Sequence, residues 1–147
     1  SVDCLYFSLP LADLPSNEAI LYLDGSGEGP INNLTFVSTL CDCAPDGKAL
    51  ASVSVIGEKE LGLQEIARQA TKQLSQWFGG KVKGWKYLKG YRIRKAVPSC
   101  PNHPSPKPVL TGVYRCGDYF GLPSIDAAMK SGRLTAESII KEQQADC

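Results

Sequence analysis

A mostly apolar run from Asp3 to Leu9, stopped by Pro10, predicts a strand. A second strand is predicted for Ala19 to Leu23, with Ile20 and Tyr22 on one face and Leu21 and Leu23 on the other. Asn33 to Leu40 predicts a third, setting Leu34 and Phe36 against Thr35 and Val37. Leu50 to Ile56 predicts a fourth, in which Ala51, Val53 and Val55 face away from Ser52 and Ser54. The period then changes. Leu63, Ile66, Ala67, Ala70, Leu74, Trp77 and Phe78 fall on one stripe of a helix predicted from Glu58 to Phe78, ended by Gly79-Gly80. Val82 to Ala96 returns to a strand pattern, with a bend expected at Gly90.

The last part of the chain reads as one element. Gly112 to Cys116 predicts a short strand, Gly117-Asp118 a turn, and Ser124 to about Gln144 a helix with Ser124 as its N-cap. Ile125, Ala128, Met129, Gly132, Ala136, Ile139 and Ile140 form its apolar stripe. Such a turn gathers a carboxylate and free helix-start N–H groups in one small volume, which suits one end of a polar cofactor or substrate. Pro98 to Pro108 reads as an irregular linker that carries the single histidine, His103, a weak candidate base.

Composition excludes more than it assigns. A chain of 147 residues is long enough for one real core, and a net charge of +1 gives no electrostatic case for nucleic acid or an anionic membrane. Lysines and arginines do alternate with Trp85, Tyr87 and Tyr91, and this pattern reads as the wet face of an edge strand. No apolar run approaches the roughly 20 residues of a membrane span. Gly25-x-Gly27-x-Gly29 follows a strand, yet Pro30 and a β-rich run succeed it where a phosphate loop would open a helix, so it reads as a glycine-rich turn. The six cysteines read as reduced thiols of a cytoplasmic or plastid compartment. Cys41-x-Cys43 lacks the further ligands a metal site needs. Ser1 enters an apolar run at once, without initiator Met or signal peptide, which reads as a cut through a larger protein.

Gly112-Val113-Tyr114-x-x-Gly117-Asp118, followed by Ser124-Ile125-x-Ala127-Ala128-x-x-Ser131-Gly132-Arg133 and Ala136, resembles the C-terminal flavin motif of the flavin-containing amine oxidase superfamily, which includes protoporphyrinogen oxidases, phytoene desaturases and monoamine oxidases. Cys4-Leu5-Tyr6-Phe7, Gly29-Pro30-Ile31-Asn32-Asn33, Val53-x-Val55, Trp77-Phe78 and Tyr91-Arg92-Ile93 resemble the end of the substrate domain in its cyanobacterial and plant branch. The resemblance implies FAD as cofactor and oxidation of a small-molecule substrate at a C–N or C–C bond by hydride transfer to the flavin. By position it implies that Gly117, Asp118, Ser124, Ile125, Ala127 and Met129 contact the cofactor. Asp118 would accept hydrogen bonds from hydroxyls of the ribityl chain or near the pyrophosphate. The Ile125 N–H would meet the pyrimidine edge of the flavin, and Met129 and Gly132 would pack the helix on the main dinucleotide fold. The family pattern often has Gly where Ala127 stands. The strand–G-x-G-x-x-G–helix that holds the ADP half has no counterpart here.

The expected fold is therefore α+β: a mixed or antiparallel sheet of about four to six strands with a packed helix, plus a C-terminal flavin-contacting helix. It would be a fragment of a larger FAD/NAD(P)-binding fold. Residues 1–108 would be a partial substrate-binding domain and 109–147 the C-terminal strand-turn-helix of the FAD-binding domain. The partner would be the missing N-terminal dinucleotide-binding portion, or a second copy of the fragment in a homodimer. Two other readings stand beside this one: a stand-alone, non-catalytic α+β binding module, and a thiol enzyme using Cys41 or Cys116.

Overall fold

The computed structural model describes residues 1–57, 60–98, 109–120 and 122–145. The chain divides into two compact units, Ser1–Ala96 and Val97–Cys147. His103 and the linker residues 99–108 lie outside the described residues.

The first unit is built on a five-stranded sheet of β1 (Val2–Pro10), β2 (Leu21–Leu23), β3 (Asn33–Phe36), β4 (Lys48–Ile56) and β5 (Lys86–Ile93), in the order β2-β3-β4-β1-β5. Every pairing is antiparallel. Alternation along β1 and β4 sorts the two faces. Asp3, Leu5, Phe7 and Leu9 are buried with Ala49, Ala51, Val53 and Val55, while Cys4, Tyr6, Ser8, Ser52 and Ser54 take the other side. Antiparallel sheets commonly leave one face to water, and this one does.

Helix α1 (Leu63–Phe78) covers the inner face with Ile66, Ala67, Ala70 and Leu74, all buried. Burying a side chain the size of Ile66 or Leu74 stabilises the fold by roughly 1.5–3 kcal/mol. The helix starts at Leu63, later than Glu58, because the Gly62 carbonyl is its first acceptor, taking the N–H of Glu65 at 3.0 Å and of Ile66 at 3.1 Å. Residues 58–59 lie outside the described residues. Gly79, at φ +66°, ends α1 in a conformation that favours glycine.

The strands are shorter than their patterns at four places, one of them the end of β5 at Ile93. β3 ends at Phe36, and a 3-10 turn over Val37–Thr39 follows, held by the Thr39 hydroxyl donating to the Phe36 carbonyl at 2.8 Å. β2 begins at Leu21. Val82 is not in a strand: it is buried in a 3-10 segment, Gly79–Gly84, that turns the chain toward β5. There Trp85 stacks on Phe78 with ring centroids 5.7 Å apart, and Tyr22 and Phe36 meet Phe78 edge-on. The irregularity in β5 sits at Leu88 and not at Gly90. Lys89 pairs with Tyr6 and Tyr87 with Phe7, so Leu88 is an extra residue, a β-bulge. Gly90 pairs regularly with Leu5; a Cβ there would lie 2.7 Å from the Tyr87 hydroxyl.

The second unit carries α2 (Ile125–Ala145). The strand expected over Gly112 to Cys116 is absent among the described residues, and Cys116 is exposed; one isolated bridge, Leu110 to Val113, closes a turn at Gly112. A lone segment without a neighbouring strand has no ladder to join, and its polar groups turn to α2 instead. No helix of the described residues is long and apolar enough to cross a membrane.

Candidate functional site

The residues singled out by the resemblance to a flavin motif all lie in the second unit, and side chains of α2 organise the segment around Gly117. The Gly117 N–H donates to Ser131 Oγ at 3.0 Å, and the Thr135 hydroxyl reaches the Arg115 carbonyl at 3.5 Å. The Tyr114 hydroxyl donates to the Glu142 carboxylate. Ser131, Thr135 and Glu142 are spaced i, i+4, i+11 and share one helix face, along which residues 114–117 run. Ser131 and Thr135 are buried by this contact. Gly117 thereby lies against α2 about two turns from its start. A Cβ on Gly117 would stand 2.5 Å from the Tyr119 ring, so the turn has no space for a larger residue without moving that ring.

Asp118 opens a 3-10 turn, Asp118–Phe120, that packs against α2. It is half-buried, and its carboxylate has no hydrogen-bond partner among the described residues. Ser124 caps the helix as expected: its Oγ accepts the Ala127 N–H at 3.0 Å and its carbonyl the Ala128 N–H at 3.1 Å. The N–H groups of Ile125 and Asp126 have no partner among the described residues, and they stand at the positive end of the helix dipole. Ala127 is half-buried. Ile125 and Met129 are open to solvent, at 82% and 72% exposure, and Leu122 beside them at 82%. The structure thus joins Gly117 to α2 and sets Ser124, Ile125, Ala127 and Met129 on its first turns.

The apolar stripe of α2 is therefore largely uncovered, and its polar stripe is the buried one. Ser131 and Thr135 are the positioning residues that the motif left without a role. Their signal was in the sequence, as hydroxyls recurring every four residues opposite Met129, but an i, i+4 polar stripe is ordinarily a wet face.

In the first unit, Cys41 and Cys43 sit in an exposed loop against the Val37–Thr39 turn, with Cys41 Sγ 3.7 Å from the Val37 carbonyl and Cys43 Sγ 3.6 Å from Ser38 Oγ. Hydrogen bonding with Cys43 pushes the Cys41 thiol up from its ordinary range, aided by some burial and by the charge of its neighbours. A raised thiol is the reverse of an activated nucleophile. Among the described residues no three His, Cys, Asp or Glu side chains group as a metal site. The glycine-rich turn is a local structure. Asp24 accepts the Ser26 hydroxyl at 2.8 Å and the N–H groups of Ser26 and Gly27, at 3.1 and 3.0 Å, and these bonds lower its carboxyl below the usual range, the Ser26 hydroxyl first. No helix follows it, so it has no phosphate cradle.

No family model matches the chain, and no curated protein does. Among solved structures the chain is similar to the PF1083 protein of Pyrococcus furiosus, with a TM-score of 0.56 and 16% identity. The likeness covers 92% of this chain and 31% of that one, so the chain spans under a third of the length of the solved protein. At this identity the likeness carries the fold alone: an α+β arrangement of a five-stranded antiparallel sheet and two helices that recurs as part of a larger chain.

Proposed function

We propose that this chain is the C-terminal part of an FAD-dependent oxidoreductase of the flavin-containing amine oxidase superfamily. The observation that carries the reading is the start of α2. Among the described residues, a Ser124-capped helix offers two N–H groups without a partner, the half-buried Asp118 carboxylate in the adjoining turn has none, and Ile125 and Met129 are exposed. This donor and acceptor set fits a flavin. The Asp118 oxygens would accept ribityl hydroxyls, and the Ile125 N–H with the helix dipole would favour negative charge on the pyrimidine edge. A bound flavin would supply the two-electron oxidation of a C–N or C–C bond. Ser131 and Thr135 would hold the Gly117-Asp118 turn in place by fixing the backbone on either side of Cys116. The first unit would form part of the substrate domain, its sheet face turned to the substrate.

The test is the reading frame upstream of Ser1. A strand–G-x-G-x-x-G–helix is expected there, and the longer product should purify yellow, with Asp118→Ala loosening the flavin. An upstream region without that motif, or a longer product that holds no FAD, overturns the reading. A stand-alone binding module is favoured by one observation, the fully buried inner face of the first unit. The same two results would support it.

A further inference from the structure

We propose that the outward face of the sheet in the first unit binds an amphipathic organic anion, with its acidic group at Lys89 and its apolar body on Tyr6, Leu50, Leu88 and Tyr91. The inference stands on the first unit alone and does not require the flavin reading. These five residues line an open cleft of about 470 Å³, within the roughly 300–1,000 Å³ of small-molecule sites. The bulge makes the cleft. An unbulged β5 would alternate its side chains strictly, and the extra residue instead puts Leu88 on the outer side next to Lys89. Tyr6 and Tyr91 meet edge to face at 6.0 Å and form an aromatic wall. The Lys89 ammonium stands 5.0 Å from the centroid of the Tyr91 ring, held over the wall.

Charge selects the occupant. The outward positions of β1, β4 and β5 carry Lys48, Lys86 and Lys89 and no Asp or Glu. Lys86 and Lys48 lie at one end, paired with Ser8 and Pro10, and Lys89 stands at mid-strand opposite Tyr6. The opposite end brings together Val2, Ile56 and Ile93. Lys89 has no ion pair among the described residues. A face that is cationic at one end, aromatic in the middle and aliphatic at the other complements a carboxylate or sulfonate with a ring- or chain-bearing body. A neutral apolar ligand would leave the lysines unused, and a purely polar anion would leave the tyrosines wet.

The test is titration of the 147-residue chain with 1-anilinonaphthalene-8-sulfonate, followed by fluorescence and by amide chemical shifts, with neutral N-phenyl-1-naphthylamine in parallel. Saturable binding is expected, with shifts at Tyr6, Leu50, Leu88 and Tyr91. Lys89→Glu replaces an attraction by a repulsion and should weaken the sulfonate about tenfold, leaving the neutral probe unchanged. Tyr91→Ala should weaken both, and Ile140→Asp on the exposed stripe of α2 should change neither. Circular dichroism melting at the unmutated temperature keeps Lys89→Glu interpretable, and Lys89→Gln, expected to weaken the sulfonate less, gives a second measure. Shifts confined to other residues, an unchanged sulfonate affinity in Lys89→Glu, or a dimer that buries Tyr91 in sedimentation would overturn the proposal. So would binding to anionic lipid vesicles without binding to the monomeric probe.

Discussion

Asp3 and Arg92 face each other across β1 and β5 and share two parallel hydrogen bonds of 2.9 Å, Nε to one carboxylate oxygen and Nη2 to the other. Nη2 also donates to the Leu61 carbonyl at 2.9 Å, which ties the pair to the approach to α1. The Asp3 side chain is 2% exposed and that of Arg92 26%, so the carboxylate depends on the guanidinium for its solvation while water still reaches part of the arginine.

Arg92→Met should therefore be costly. Removing one partner of a buried ion pair leaves an uncompensated charge, which destabilises by about 3–5 kcal/mol, and the partial exposure of Arg92 places the expectation at the lower end. Urea unfolding measures it. Asp3→Asn combined with Arg92→Met should recover part of the loss, since no charge is then stranded. A single variant as stable as the unmutated chain would show that the pair contributes nothing.

Gln73 is the buried polar residue of α1, and its Oε1 accepts the Ile31 N–H at 2.9 Å. A Cβ on Gly29 would lie 2.1 Å from that oxygen, so the glycine makes the approach possible. Gln73→Leu orphans a buried N–H and should cost about 1–3 kcal/mol. Gly29→Ala should displace the Gln73 side chain and lower the same unfolding midpoint. Full stability in both variants would mean that the bond is dispensable.

Burial raises the Tyr87 hydroxyl above its ordinary range. The folded state then holds its phenol proton more tightly than the unfolded chain, whose tyrosine titrates near pH 10 (about). The stabilisation is fully present below that value and is lost as pH rises through the folded pKa. The unmutated chain should lose more stability than Tyr87→Phe between pH 8 and pH 11 (both approximate). Parallel curves for the two proteins would remove Tyr87 from the alkaline transition.

Ser131→Ala should loosen the turn before α2 without unfolding the sheet. The Gly117 N–H loses its acceptor, so its hydrogen exchange should accelerate while the amides of β1 and β4 keep their protection. Equal acceleration in both places would mean that Ser131 supports the whole chain and not the turn.

The 147-residue chain by itself should retain no FAD, because the phosphate-cradling strand–turn–helix is absent from its sequence. Absorbance between 350 and 500 nm (approximate limits for a bound flavin) after purification and added FAD should be at baseline. A stoichiometric yellow complex would show that α2 and its turn suffice for binding.

Periodicity alone determined the inner sides of β4 and α1. Ala51, Val53 and Val55 recur every second residue, and Ile66, Ala70 and Leu74 recur at helical spacing; each pattern fits one backbone geometry and one buried face. Local chemistry likewise determined the ends at Pro10, Gly79 and Ser124, where a missing donor, a positive φ and a hydroxyl cap act within a few residues. Tertiary structure decided what depends on partners far away in the chain. Asp3 reads as the polar start of a strand until Arg92 arrives beside it, and Leu88 reads as one more alternating residue until the register with β1 displaces it. The candidate site divides in the same way. Gly117, Asp118, Ser124 and Ile125 were legible as a motif, but the choice of buried face on α2 was not. Segment 114–117, lacking a strand to pair with, took its hydrogen bonds from Ser131 and Thr135, and that demand for backbone partners outweighed the apolar stripe.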